Sequence, residues 1–179
     1  MNTDTQTIES KMGKIVFRKA KEKDVSTISS LTEYETLLPR SVDEVREILP
    51  YYFVAECVET GQIVGCISAF IHQSMLDESK YEAEIVSLRV LDEFKGNGIG
   101  SALLQLELEA LKRRTDLKHI FAFTTEKVFT GSFSKAGFVE AKPQLFGAKV
   151  IQACAKCPKN VYKDGKHHCD EIAVLYPFL

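Results

Sequence analysis

The chain has 179 residues, 45% of them hydrophobic and 27% charged, and a formal net charge of -2. This is the composition of a globular domain long enough to bury a core without disulfide staples. It excludes a global basic field for nucleic acid or anionic lipid, and no apolar run reaches the roughly 20 residues of a membrane-spanning helix. Neither nucleic acid nor membrane is therefore an expected partner. The polar start, MNTDTQTIESKMGK, has no apolar signal-peptide core. Residues 1–12 read as a flexible tail and 13–179 as one domain, with the cytoplasm as expected compartment. There, five cysteines read as thiols or metal ligands before disulfides. A homodimer is left open.

In chain order, KIVFRKA (Lys14–Ala20) alternates as a strand. Asp24 is placed to cap a helix to about Tyr34, with Val25, Ile28 and Leu31 on one face. Ser41 and Glu44 form a capping-box pattern opening a second helix that Pro50 ends. YFVAECV (Tyr52–Val58) and IVGCISAFIH (Ile63–His72) form a hairpin through a turn at Gly61. AEIVSLRVL (Ala83–Leu91) is the fourth strand. SALLQLELEALKRR (Ser101–Arg114) is a helix with a broad leucine face. HIFAFTT (His119–Thr125) is a strand, Glu126–Ala136 a helix stopped by Gly137, Phe138–Ala141 a strand, and Glu171–Phe178 a last one. This order gives an α+β fold with a mixed central sheet and helices on both faces.

Between strand four and the leucine helix lies VLDEFKGNGIGSALL, with Gly96, Gly98 and Gly100 at alternate positions. Glycine permits positive φ and close approach of a ligand to the backbone, and a helix N-terminus holds anions. One glycine suffices for a plain turn; three favour a phosphate cradle, with Lys95 at its mouth. It is neither a Walker loop, since no G-K-[ST] follows, nor a dinucleotide fingerprint, since the spacing is G-x-G-x-G.

The stretch resembles the acetyl-CoA pyrophosphate loop of the GCN5-related N-acetyltransferase (GNAT) superfamily, with Lys95 in place of the usual Arg or Gln and Gly98 and Gly100 matching. The resemblance implies that amides of Lys95, Gly96, Asn97, Gly98, Ile99, Gly100 and Ser101 hold the pyrophosphate. It also implies that the backbone of Leu88, Arg89 and Val90 pairs with the pantetheine arm. FSKAGF (Phe133–Phe138) is similar to a second family signature, in which an aromatic beside the cofactor often carries a tyrosine hydroxyl that protonates the leaving thiolate. Phe133 keeps the cofactor-side position without the hydroxyl.

An attacking amine must lose a proton, which suits a carboxylate. Glu84 on strand four is the candidate base; a solvent-facing or anchoring glutamate is the plain alternative, and Glu82 is its rival on the same face. LLPRS (Leu37–Ser41), IVGC, AEIVSLRV, FAFTT and CAKCPK…CDEIAVL together resemble short amino-acid N-acetyltransferases related to N-acetylglutamate synthase. That implies transfer from acetyl-CoA to the α-amine of glutamate, a step of arginine biosynthesis. A dicarboxylate needs cations, so Arg40 is the first choice to bind it, with Ser41 as donor and Arg89 second. Rival readings are an acetyltransferase for a protein N-terminus, a lysine or a polyamine, and a non-catalytic acetyl-CoA sensor.

In the tail, Cys154, Cys157 and Cys169 follow C-x2-C-x11-C, with His168 adjoining the last. Three thiolates and an imidazole are the donors of a tetrahedral zinc site. Three reduced thiols in an apolar clip is the simpler reading, so zinc is carried only as a candidate.

Overall fold

The computed structural model describes residues 6–34, 37–74, 77–142, 162–163, 166–167 and 171–177. The chain divides into two compact units, Met1–Phe70 with Ile85–Arg113, and Ile71–Glu84 with Arg114–Leu179.

In the first unit the strands are β1 (Thr7–Ser10), β2 (Gly13–Lys19), β3 (Phe53–Cys57), β4 (Ile63–Gln73) and β5 (Tyr81–Val90), adjacent in that order. The last two continue into the second unit. The pairs β1–β2, β2–β3 and β3–β4 are antiparallel. Thr7–Ser10 was expected in the loose tail. Instead it pairs with β2, because Gly13 at φ 114 turns the chain back and a four-residue alternation suffices once a partner strand is present.

Helices α1 (Val25–Thr32) and α2 (Val42–Glu47) cover one face of this sheet. Their Val25, Ile28, Leu31 and Val45 pack with Tyr52, Val54, Ile63 and Cys66. Helix α3 (Ile99–Lys112) covers the other face. It buries Ile99, Leu103, Leu104, Leu108 and Leu111, as 3.6-residue periodicity requires. Gly65 makes that packing feasible: a Cβ there would stand 2.8 Å from the Arg89 carbonyl and 3.2 Å from Leu103.

The Ser41–Glu44 capping box forms as expected, Ser41 N–H donating to Glu44 at 2.7 Å and Glu44 N–H to Ser41 Oγ at 3.3 Å. Asp24 behaves differently. It does not cap α1; its carboxylate accepts from Lys21 N–H at 2.8 Å and from the Arg18 guanidinium at 2.7 and 3.0 Å. A buried carboxylate gains more from a bidentate arginine than from one amide.

In the second unit β5 is followed by β6 (Leu117–Thr125), then β10 (Glu171–Tyr176), then β7 (Val139–Ala141). Tyr81 at the start of β5 donates to Asp116 just before β6 at 2.9 Å, so the two strands begin together and run parallel. The β6–β10 and β10–β7 pairs are antiparallel, which makes the arrangement mixed. Phe121 and Ala173 are its buried centre. Strands β8 (Tyr162–Lys163) and β9 (Lys166–His167) pair antiparallel as a separate two-stranded sheet.

The helix expected over 126–136 is one α-turn, α4 (Glu126–Val128), followed by a widened turn over Phe129–Phe133. Thr130 Oγ1 donates back to the carbonyls of Glu126 at 3.1 Å and Lys127 at 3.2 Å, competing with the helical ladder, and Gly131 adds backbone freedom. Gly137, at φ 95, ends the segment as anticipated.

Candidate active site

The glycine stretch lies wholly in the first unit. Gly96 at φ 80 and Gly98 at φ 78 occupy the left-handed region that side chains disfavour, and no atom lies within 4 Å of where either Cβ would stand. Gly98 is the N-cap of α3, which starts two residues before the expected Ser101, inside the glycines. The first intrahelical bond runs from Ala102 N–H to Gly98 at 3.0 Å. It leaves the amides of Ile99, Gly100 and Ser101 at an open helix end with no acidic residue in the first turn. Gly100 differs from its neighbours: its φ is ordinary and its Cβ would lie 3.7 Å from Val90, a normal contact.

Asn97 braces the loop from within, its side-chain amide donating to the carbonyls of Phe94 at 3.0 Å and Lys95 at 3.3 Å. Lys95 is not a bare cation. It pairs with Asp92 and donates to the Tyr34 hydroxyl at 3.4 Å. Hydrogen bonding to Asp92 raises the Lys95 pKa, and the same contact holds the Asp92 carboxyl below its usual range. Leu88 and Val90 are half-buried. Arg89 is 8% exposed, with its guanidinium carbon 3.6 Å above the Tyr34 ring and Nη1 3.4 Å from Asp92. These two partners engage its guanidinium.

Arg40 is held at three points. Its N–H donates to Thr32 Oγ1 at 2.9 Å, its carbonyl accepts from Ser29 Oγ at 2.8 Å, and its Nε donates to Ser87 Oγ at 3.3 Å. Its guanidinium carbon lies 4.8 Å from the centre of the Phe70 ring. Among the described residues no carboxylate forms an ion pair with it; Glu44 is the acid that feels its field. Ser41 is otherwise engaged, because its hydroxyl donates to Glu44 Oε2 at 2.9 Å.

Two residues that the sequence placed only within strands complete this cluster. Tyr52 is fully buried and its hydroxyl donates to Ser87 Oγ at 3.1 Å. Ser87 has φ 58, the one positive φ outside glycine among the described residues. Strain of this kind in mid-strand costs about 1–3 kcal/mol and gathers at functional sites. A serine gives no sequence signal for it.

In the second unit Glu84, about a fifth exposed, lies 3.1 Å from His72 Nε2. Glu82 is 4% exposed, accepts from Ser74 Oγ at 3.1 Å and has His119 Nδ1 at 3.6 Å. The two carboxylates differ in surroundings: Glu82 is sunk in a polar anchor, while Glu84 is partly exposed beside a histidine. Phe133 is 2% exposed and meets Phe138 edge-on at 4.9 Å. Cys154, Cys157, Cys169 and His168 lie outside the described residues. Among the described residues no group of three or more His, Cys, Asp or Glu is placed to hold a metal ion, and no helix is long and apolar enough to cross a membrane.

Strand β5 thus leads into an open, glycine-built helix N-terminus. The acetyltransferase (GNAT) family profile matches residues 22–138, from α1 through the glycine cradle to Phe138. The chain belongs to this family. It is 33% identical over 162 residues to an uncharacterized N-acetyltransferase of Chlorobaculum tepidum, covering 88% of this chain and 93% of that one. Among solved structures it resembles N-acetylglutamate synthase of Neisseria gonorrhoeae, complexed with coenzyme A and N-acetyl-glutamate. The TM-score is 0.68 and the identity 19%, over 90% of this chain and 34% of that one. It also resembles the NatC complex bound to Gag peptide and CoA, with TM-score 0.70 and 16% identity, over 92% of this chain and 99% of that one. At such identities these likenesses speak to the fold, the GNAT fold of a mixed sheet with helices.

Proposed function

We propose that the protein transfers acetyl from acetyl-CoA to the amine of a carboxylate-bearing small molecule, the α-amine of glutamate. The observation that carries this reading is Arg40, a cation pinned at its main chain and Nε with no carboxylate among the described residues to neutralise it. A fixed guanidinium of this kind suits a carboxylate ligand, which it binds in bidentate fashion. It opposes a polyamine, whose recognition calls for acids.

The cradle suits the coenzyme. Gly96 and Gly98 leave room for a pyrophosphate against the amides of Ile99, Gly100 and Ser101, and Lys95 adds positive charge. Leu88–Val90 are assigned to the pantetheine arm. Glu84, paired with His72, is assigned to take the amine proton as the amine attacks the thioester carbonyl, and the thiolate departs as free CoA. Phe133 has no hydroxyl to give that thiolate, so water protonates it.

The test is thiol release from acetyl-CoA with single acceptors. Release with glutamate that falls at least tenfold in Arg40→Gln supports the reading. Release only with a peptide N-terminus, a lysine side chain or spermidine overturns the acceptor assignment. Tight CoA binding without release for any amine replaces the enzyme reading with that of a sensor.

A further inference from the structure

Ser87 Oγ sits between two donors. Arg40 Nε gives it one hydrogen bond and can only donate. Tyr52 gives the other, and the direction of that bond follows from burial. The phenol is 0% exposed and Ser87 is its hydrogen-bond partner, so among the described residues its proton goes to Ser87 or to nothing. A buried unsatisfied hydroxyl costs about 1–3 kcal/mol, so the phenol donates. Burial raises the Tyr52 pKa to about 12, which keeps that proton in place through the neutral range. With both lone pairs of Ser87 Oγ filled, its own hydrogen has no acceptor among the described residues.

A hydroxyl that accepts twice, once from a cation, is polarised into a stronger donor. It stands within one hydrogen bond of a guanidinium that forms no ion pair among the described residues. The left-handed φ of Ser87 holds it there at an energetic cost that the neighbouring strand residues do not bear. We propose that Ser87 Oγ–H and the Arg40 guanidinium form one two-donor clamp for a carboxylate of the acceptor, with Tyr52 as the residue that orients the serine. This rests on the carboxylate-acceptor reading above. It adds a specificity residue and a positioning residue to it.

The experiment measures the dissociation constant of glutamate by NMR titration with CoA present, for wild type, Ser87→Gly, Arg40→Gln and the double variant. Glycine is chosen because it tolerates the positive φ, although it leaves the Tyr52 hydroxyl without its acceptor, so thermal melting and CoA affinity are measured alongside to establish that the fold is retained. Loss of a hydrogen bond to a charged group predicts at least tenfold weaker glutamate binding in Ser87→Gly. The loss should persist, at several-fold or more, in the Arg40→Gln background, because the serine touches the ligand itself. Tyr52→Phe, which frees the serine to turn, should lose several-fold. An unchanged constant in Ser87→Gly, or a loss that vanishes once Arg40 is removed, overturns the clamp while leaving the carboxylate acceptor standing. Wild type that binds no glutamate overturns both.

Discussion

Glu107 on α3 is buried to 1% exposure, with one carboxylate oxygen lacking a hydrogen-bond partner, and Lys19 on β2 is the cation that acts on it. Burial raises its pKa to about 7 from the ordinary 4.5, with Lys19 opposing. Burial lowers the Lys19 pKa in turn; its ammonium lies 3.6 Å above the Phe53 ring. A folded-state pKa above the unfolded one stabilises at low pH, and that contribution is lost as pH rises through about 7. Glu107→Gln is neutral at every pH. Its melting temperature should exceed that of wild type at about pH 8, and the advantage should shrink toward about pH 5. Thermal unfolding across this range checks the sign, and a pH-independent difference would rule out titration of Glu107.

Gly98 and Gly100 of the cradle should respond differently to alanine. Gly98→Ala forces a side chain to φ 78, costing about 1–2 kcal/mol of stability, and puts a methyl where the coenzyme would lie. CoA affinity by calorimetry should drop at least tenfold. Gly100→Ala sits at helical φ with a 3.7 Å contact to Val90 and should keep its melting temperature. Equal losses at both positions would contradict the geometry.

Glu84→Gln removes the proposed base while preserving shape. General-base catalysis is worth about 10²–10⁴-fold, so kcat at saturating acceptor and acetyl-CoA should fall within that range with CoA binding unchanged. Glu82→Gln disturbs the buried anchor with Ser74 and His119 and should cost stability first. If kcat instead collapses in Glu82→Gln and survives in Glu84→Gln, the assignment is reversed.

Asp24 is 3% exposed and takes both ends of the Arg18 guanidinium, which also bonds Glu56 at 2.7 Å. Breaking a buried pair by deleting one partner costs about 3–5 kcal/mol. Asp24→Ala should lower the urea midpoint accordingly. A loss under about 1 kcal/mol would class the pair with solvated surface bridges.

Local chemistry was readable from the chain. The Ser41–Glu44 box, the leucine periodicity of α3 and the glycines at 96 and 98 depend on neighbours a few residues away. Their outcomes follow from spacing. The features that needed the structure depend on distant partners. Strand β1 exists because β2 offers it an edge. Asp24 forgoes its helix for Arg18. The widened turn at 129–133 reflects one threonine bonding backward. Ser87 is the clearest case, since nothing about a serine in a β-rich run announces a left-handed backbone or two converging donors. Glu84 and Glu82 are equivalent by alternation, and only the positions of His72, Ser74 and His119 give them different surroundings.

The main chain of Arg40 is tied by both its N–H and its carbonyl to α1, through Thr32 and Ser29. The proposed acceptor cation thus travels with one stretch of sequence, residues 29–41, whereas its clamp partner Ser87 and the proposed coenzyme-loop contacts at 88–101 belong to another. Duplicated genes of this design can exchange the first stretch and inherit the second unaltered. A change of amine then needs no reinvention of the coenzyme loop, and drift in substrate is expected to outpace drift in the cradle.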